Sequence, residues 1–166
     1  LQALAISFLE AAAFNLTIPF SLIYFTNVLN HSFSRALHMN LLCIFVLIAT
    51  MPLSGKLASK IGPLKFLTCS CWAFLISAIP LYQLMHFKLG LVLVPFAFAL
   101  MLSCFWGAMP AVIAGLFPSV VRFSGVGLGY NLMVGMIGGS CPLIALYFID
   151  KIGLAAAPGI LLSIAT

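Results

Sequence analysis

Acidic side chains are nearly missing from this chain: Glu10 and Asp150 are the two in 166 residues. With seven Lys or Arg, charged residues make up 5% of the total, against 64% hydrophobic. A soluble domain of this size needs far more polar surface, so that class is excluded. An enzyme built on clustered His, Asp or Glu is disfavoured as well, because the two acids fall at opposite ends of the chain. Zinc and disulfide frameworks are equally poorly supported. Cys43, Cys69, Cys71, Cys104 and Cys141 all sit inside apolar runs, and no Cys-x-x-Cys pair occurs. Cys69 and Cys71 point to different sides of a helix. His31, His38 and His86 lack helical metal spacing, so neither a metal nor a cofactor is expected. A basic n-region is also missing from the start at Leu1, so no signal peptide is expected and the chain reads as a piece of something longer.

What is present is apolar length. Mean hydropathy is +1.28. Charges fall only at Glu10, Arg35, Lys56, Lys60, Lys65, Lys88, Arg122, Asp150 and Lys151, leaving charge-free runs at 11–34, 36–55, 66–87, 89–121, 123–149 and 152–166. A helix of roughly 20 residues crosses a hydrocarbon core of about 30 Å, so five runs suffice and the sixth is cut short. The expected fold is all-α, a polytopic membrane helix bundle over 1–166. Its helices are expected at about 5–29, 36–54, 64–85, 89–116 and 124–149, with a truncated sixth at 153–166. Short connections force neighbouring helices to run antiparallel. Net charge is +5, but the basic residues are scattered between spans. That pattern reads as membrane topology among lipids and not as a nucleic-acid surface.

Three of the seven basic residues fall in Gly55–Lys65, read as a turn between the second and third helices. Its face carries Lys56, Lys60, Lys65 and Arg122; the opposite face carries Arg35, Lys88 and Lys151. Positive loops stay inside, so the first group, and with it both chain ends, is placed in the cytoplasm. Pro19, Pro52, Pro80, Pro95, Pro110 and Pro142 lie within spans, where they either shape static packing or supply kinks for a conformational cycle.

Glu10 is the one acid inside the body of an apolar run, and ionised groups at mid-membrane usually face a cavity. Glu10, Phe14, Thr17, Ser21 and Tyr24 share one side at 100° per residue, a stripe suited to lining a path. Glu10 then reads as a protonatable coupling site. It reads equally as a residue near the helix end that reaches headgroups, and the nine residues before it lean that way. Asn15 on another face is expected to bond a neighbouring helix. Trp106 is placed mid-span as a pocket wall able to stack on a cationic or apolar ligand, or as simple packing. The fifth helix carries Gly127, Asn131, Gly135, Gly138 and Pro142 on one side, with Gly125/Gly129 and Gly135/Gly139 as small pairs for close packing. Asn131 and Tyr130 are candidates for polar contact with substrate. Arg122, beyond Phe117-Pro118, is expected to reach free carbonyls at the end of the fourth helix.

Two segments carry a resemblance. The turn, with Gly55, Leu57, Ala58, Ser59, Lys60, Gly62 and Lys65, resembles the loop motif of major facilitator superfamily transporters, usually Gly-x-Leu-Ser-Asp-Arg-x-Gly-Arg-Arg. The string Met109-Pro110-Ala111, Leu116 to Gly125, Gly129-Tyr130-Asn131-Leu132 and Gly138 to Leu143 is similar to helices ten and eleven of the metabolite:proton symporter branch, which includes proline/betaine, α-ketoglutarate, citrate and shikimate carriers. The resemblance implies that the chain is the C-terminal half of a twelve-helix transporter, helices seven to twelve. It makes Gly55, Ser59, Lys60, Gly62, Lys65 and Arg122 a cytoplasmic gate. Ser59 and Gly115 stand where the family keeps acids, which implies a weaker gate.

The expected function is secondary active transport of a small polar metabolite, a zwitterion or organic acid, coupled to protons by alternating access in a bacterial inner membrane. Glu10, Thr17, Tyr24, Trp106, Tyr130 and Asn131 are the expected path. The partner is the N-terminal half of the same protein or a second copy of this chain. The alternatives are a non-transporting sensor or degenerate remnant and, with less support, a membrane-embedded transferase.

Overall fold

The computed structural model describes residues 2–87, 92–118, 120–152 and 157–166. Hydrocarbon offers no partner to a bare backbone N–H or C=O, so a chain this apolar must satisfy those groups within helices. Helices account for nearly all of the described residues. They are α1 (Gln2–Thr17), α2 (Pro19–Ile23), α3 (Phe33–Ile61), α4 (Pro63–His86), α5 (Leu93–Gly115), α6 (Arg122–Met133), α7 (Gly139–Ile152) and α8 (Ala157–Ala165). A π-helical turn at Tyr24–Val28 continues α2, and another at Val134–Gly138 joins α6 to α7. Among the described residues, five helical stretches are long and apolar enough to cross a membrane: Gln2–Val28, Phe33–Ile61, Pro63–His86, Leu93–Gly115 and Arg122–Lys151. The protein is an integral, multi-pass membrane protein. α8, with nine described residues, falls within the expected sixth helix at 153–166.

The first span is interrupted at Ile18. Pro19 has no N–H to donate, so the helix restarts there with Pro in its first turn. The Tyr82 hydroxyl of α4 donates to the Leu16 carbonyl beside this break. The expected turn at Gly55–Pro63 is corrected: residues 55–61 are the last two turns of α3. Nothing in residues 55–61 requires a left-handed backbone, and the Lys, Leu, Ala and Ile side chains there are ordinary helix formers. Gly62 alone makes the connection, at φ +106°. Its N–H closes α3 on the Ala58 carbonyl at 2.9 Å, and its carbonyl opens α4 by accepting from Phe66 N–H at 3.0 Å. Of the expected connection Asp150–Gly153, Asp150, Lys151 and Ile152 belong to α7. Lys88, Ser119 and residues 153–156 of the predicted connections and sixth helix lie outside the described residues.

The first and fourth spans form the centre. Ala11, Ala12, Ala13 and Leu16 of α1 are buried, as are Phe98, Leu102 and Phe105 of α5. Outward residues such as Phe45, Ile48, Trp72, Ile76 and Leu128 are exposed and apolar, which suits a hydrocarbon surround. The tightest crossing joins α3 to α5. A Cβ on Gly107 would stand 2.8 Å from the Gly55 nitrogen, so the backbones touch, and the Ser54 and Ser103 hydroxyls meet beside them at 3.3 Å. Gly159 seats α8 on α4 in the same way, against the Ala78 carbonyl.

Candidate functional site

An open-sided cavity of about 410 Å³ lies among α1, α3, α5 and α6. It falls within the roughly 300–1,000 Å³ typical of small-molecule sites. Glu10 of α1, Trp106 of α5 and Tyr130 of α6 are its polar-tipped walls, and Met51, Met109 and Ile113 are among its apolar ones. Three separate spans therefore bring the polar groups to one place.

Glu10 is 2% exposed. The end-of-helix reading, in which it reaches headgroups or water, is replaced by burial against the fourth and fifth spans. One carboxyl oxygen, Oε1, accepts from the Tyr130 hydroxyl at 3.2 Å. The other, Oε2, is buried and meets no donor in strict hydrogen-bond geometry among the described residues, while the Trp106 indole N–H approaches the same carboxyl. The Trp106 ring is fixed by Phe14, stacked at 5.2 Å between centroids and 28° between planes. Burial of a carboxyl group is costly in a low-dielectric surround, so it calls for a proton or a positive ligand group.

The expected stripe along the first span divides. Glu10 lines the cavity and Phe14 backs its Trp106 wall, whereas Thr17 and Ser21 turn their hydroxyls onto their own helix, donating to the Ala13 carbonyl at 2.6 Å and the Ile18 carbonyl at 2.8 Å. Tyr24 lies at the far end, with its ring on Tyr82 at 5.9 Å and its hydroxyl 3.5 Å from His86 Nδ1. Tyr24 lies beyond the break at Ile18–Pro19, whereas Thr17 stays on α1, about two helical turns from Glu10.

Asn131 stands apart from Tyr130. It is exposed on α6, donates to the Gly127 carbonyl at 2.8 Å, and lines a separate surface groove with Phe123 and Leu128. Asn15 donates back to the Ala11 carbonyl of its own helix and lies directly over Gly138. The glycines of the fifth span sort differently from their spacing. Gly138 packs on Asn15, Gly125 on the Phe117 ring and Gly129 on Leu4, whereas Gly127, Gly135 and Gly139 face open space.

Of the expected gate residues, Gly55 is a helix-crossing residue under Gly107 and not a turn residue. Ser59, Lys60, Lys65 and Arg122 are exposed around the same end of the bundle. Ser59 donates to the Lys56 carbonyl at 2.8 Å, and Arg122 Nε donates to the Phe117 carbonyl at 3.3 Å, closing the α5–α6 turn. All five cysteines are free thiols. Sequence reasoning missed the Ser54–Ser103 pair and the Gly107 contact. The i, i+4 spacing of Ser103 and Gly107 was a readable signal for them.

The ectoine/proline transporter of Corynebacterium glutamicum is 29% identical over 119 residues, covering 70% of this chain and 24% of that protein. A putative proline/betaine transporter of Staphylococcus aureus matches at 29% over 119 residues, 70% of this chain and 26% of its own length. The proline/betaine transporter of Escherichia coli is 26% identical over 145 residues, 84% of this chain and 29% of that protein. Over 70–84% of its length the chain is similar to proteins named as proline/betaine transporters. No protein-family model and no solved structure matches it.

The chain spans about a quarter of the length of these transporter relatives. The two positions where the resemblance expects acids have room for them: Ser59 is exposed, and a Cβ on Gly115 would touch nothing.

Proposed function

We propose that the chain is the C-terminal, six-helix half of a twelve-helix secondary transporter, which carries a small polar metabolite by alternating access and is coupled to protons. The observation that carries this reading is the buried Glu10–Tyr130 pair at a cavity in a chain similar to proteins named as proline/betaine transporters. Such carriers place substrate near the midplane between two repeats that rock about it. This chain supplies one wall; the other comes from the remaining helices of the same protein or from a second copy. Within this wall Glu10 is the group that takes up the proton. Zwitterions of the proline or betaine kind are the favoured cargo, because among the described residues no Lys or Arg lines the cavity to hold a lone organic acid. The setting is a bacterial inner membrane.

Uptake of labelled proline or betaine into vesicles bearing the full-length protein tests this. An inward proton gradient should accelerate uptake, and Glu10→Gln should remove the gradient dependence. Gradient-driven uptake unchanged in Glu10→Gln would strip Glu10 of its coupling role. No uptake of any zwitterion or carboxylate would overturn the transporter reading itself.

A further inference from the structure

We propose that the lysine corner between α3 and α4 holds the headgroup of an anionic phospholipid, with an acyl chain laid along the outer face of α4. This surface faces the bilayer and not the cavity, so it holds the same lipid whatever the cargo. Lys60 stands in the last turn of α3 and Lys65 in the first turn of α4, and both are exposed. Gly62 is the whole connection between the two helices, fixed by its N–H bond to the Ala58 carbonyl and by Phe66 N–H on its own carbonyl. The two cations are therefore carried on helix ends, with no loop to order when a ligand arrives.

Among the described residues no acid stands at this corner. The two in the chain are Glu10, buried with Tyr130, and Asp150, in the last turn of the span that starts at Arg122. Ser59, beside Lys60, donates its hydroxyl to the Lys56 carbonyl. Lys60 complements the negative end of α3, but Lys65 opposes the positive end of α4, so the corner gains from an external anion. Lys56, exposed one turn before Lys60, adds a third charge. A headgroup that carries an ammonium beside its phosphate, as in phosphatidylcholine, brings a cation that nothing here matches.

The face below Lys65 decides between a lipid and a free phosphate. Trp72 and Ile76 stand seven and eleven positions after Lys65, so at 3.6 residues per turn they lie within about 20° of its line on the helix. Trp72 is 57% and Ile76 71% exposed. Thr68, one turn below Lys65, is exposed too, its hydroxyl already given to the Leu64 carbonyl at 2.9 Å. Ile76 is about 16 Å along the axis from Lys65, close to half of a hydrocarbon core of about 30 Å. The stripe therefore has the depth of one leaflet, with cations at its outer end and apolar surface beneath. A free phosphate or an acidic peptide would use the charges alone, whereas a phospholipid uses the whole stripe.

The test uses the full-length protein in vesicles, in a variant that keeps Trp72 as its only tryptophan. Lipid brominated in its acyl chains quenches tryptophan on contact, so quenching reads the lipid seated on the stripe. At equal small shares of the membrane, brominated phosphatidylglycerol should occupy the stripe about fivefold or more in preference to brominated phosphatidylcholine of the same chains. About 1 M salt should weaken that preference. Lys60→Gln with Lys65→Gln should remove it, Lys60→Arg with Lys65→Arg should keep it, and Arg35→Gln at the opposite end should leave it unchanged. Soluble glycerol phosphate should not displace the lipid. Equal quenching by the two lipids, or a preference that survives the double Gln substitution or salt, overturns the proposal. Displacement by glycerol phosphate would assign the corner to a free phosphate instead. Equal quenching together with a crosslink from Lys60 or Lys65 to a carboxylate elsewhere in the protein would assign it to an acidic protein segment.

Discussion

Gly107→Ala is the sharpest test of the packing that holds the cavity wall. The new Cβ would stand 2.8 Å from the Gly55 nitrogen, 2.8 Å from Ser54 Cβ and 2.9 Å from the Ser54 carbonyl carbon. Carbon pairs rest at about 3.5–4.0 Å, so α3 and α5 must part by up to about 1 Å at this crossing. Overpacking of that kind costs about 1–3 kcal/mol. The reciprocal change, Gly55→Ala, has a different geometry. Its Cβ would meet only the Gly107 carbonyl oxygen at 3.7 Å, an ordinary contact. It should therefore shift stability by no more than about 0.5 kcal/mol. Reversible unfolding of both variants in mixed detergent micelles measures the difference. Trp106 is the neighbour of Gly107, so Gly107→Ala should also alter its fluorescence. Equal stability of the two variants, in either direction, would refute the argument.

Two further predictions concern the backbone. Gly62→Ala should destabilise by about 1–3 kcal/mol although a Cβ there would touch nothing, because φ +106° is a conformation that L side chains rarely hold; a thermal midpoint unchanged in detergent would show that the connection is not held there. Tyr82→Phe removes the donor to the buried Leu16 carbonyl and should cost about 1–3 kcal/mol, with faster hydrogen exchange confined to the residues around Pro19.

The spans were legible because their cause is composition: charges nine positions strong mark the ends of apolar runs, and hydrocarbon permits little except helix. Their ends were less so. Gly55 has the look of turn punctuation, yet its backbone is helical, because a glycine in a membrane helix can serve a close crossing as well as a bend. Glu10 was visible as an anomaly, but its distance from the chain start suggested an interface. Burial depended on α5 and α6 covering it, which no local pattern reports. Asn131 and Gly138 were placed together on a helical wheel of constant 100° steps. The π turn at Val134–Gly138 breaks that register, leaving Asn131 exposed while Gly138 is buried under Asn15. Of the path residues, Tyr24 is separated from Glu10 by the break at Pro19, whereas Thr17 remains on the same helix and bonds its own backbone.

The length of α3 acts as a ruler against the bilayer. Its 29 residues measure about 43 Å, against a hydrocarbon core of about 30 Å. From Arg35 to Lys56, the charges that flank its apolar run, the axis measures about 32 Å, close to the thickness of that core if the helix runs upright. The lysine end is therefore carried into the headgroup layer on a stiff rod, with no slack chain to absorb a mismatch. A bilayer only about 5 Å thicker would draw Lys56 into hydrocarbon, at a cost that tilting cannot relieve because tilt shortens the reach. Reconstitution in lipids of increasing chain length should thus find a thickness beyond which the second span no longer seats its charged end.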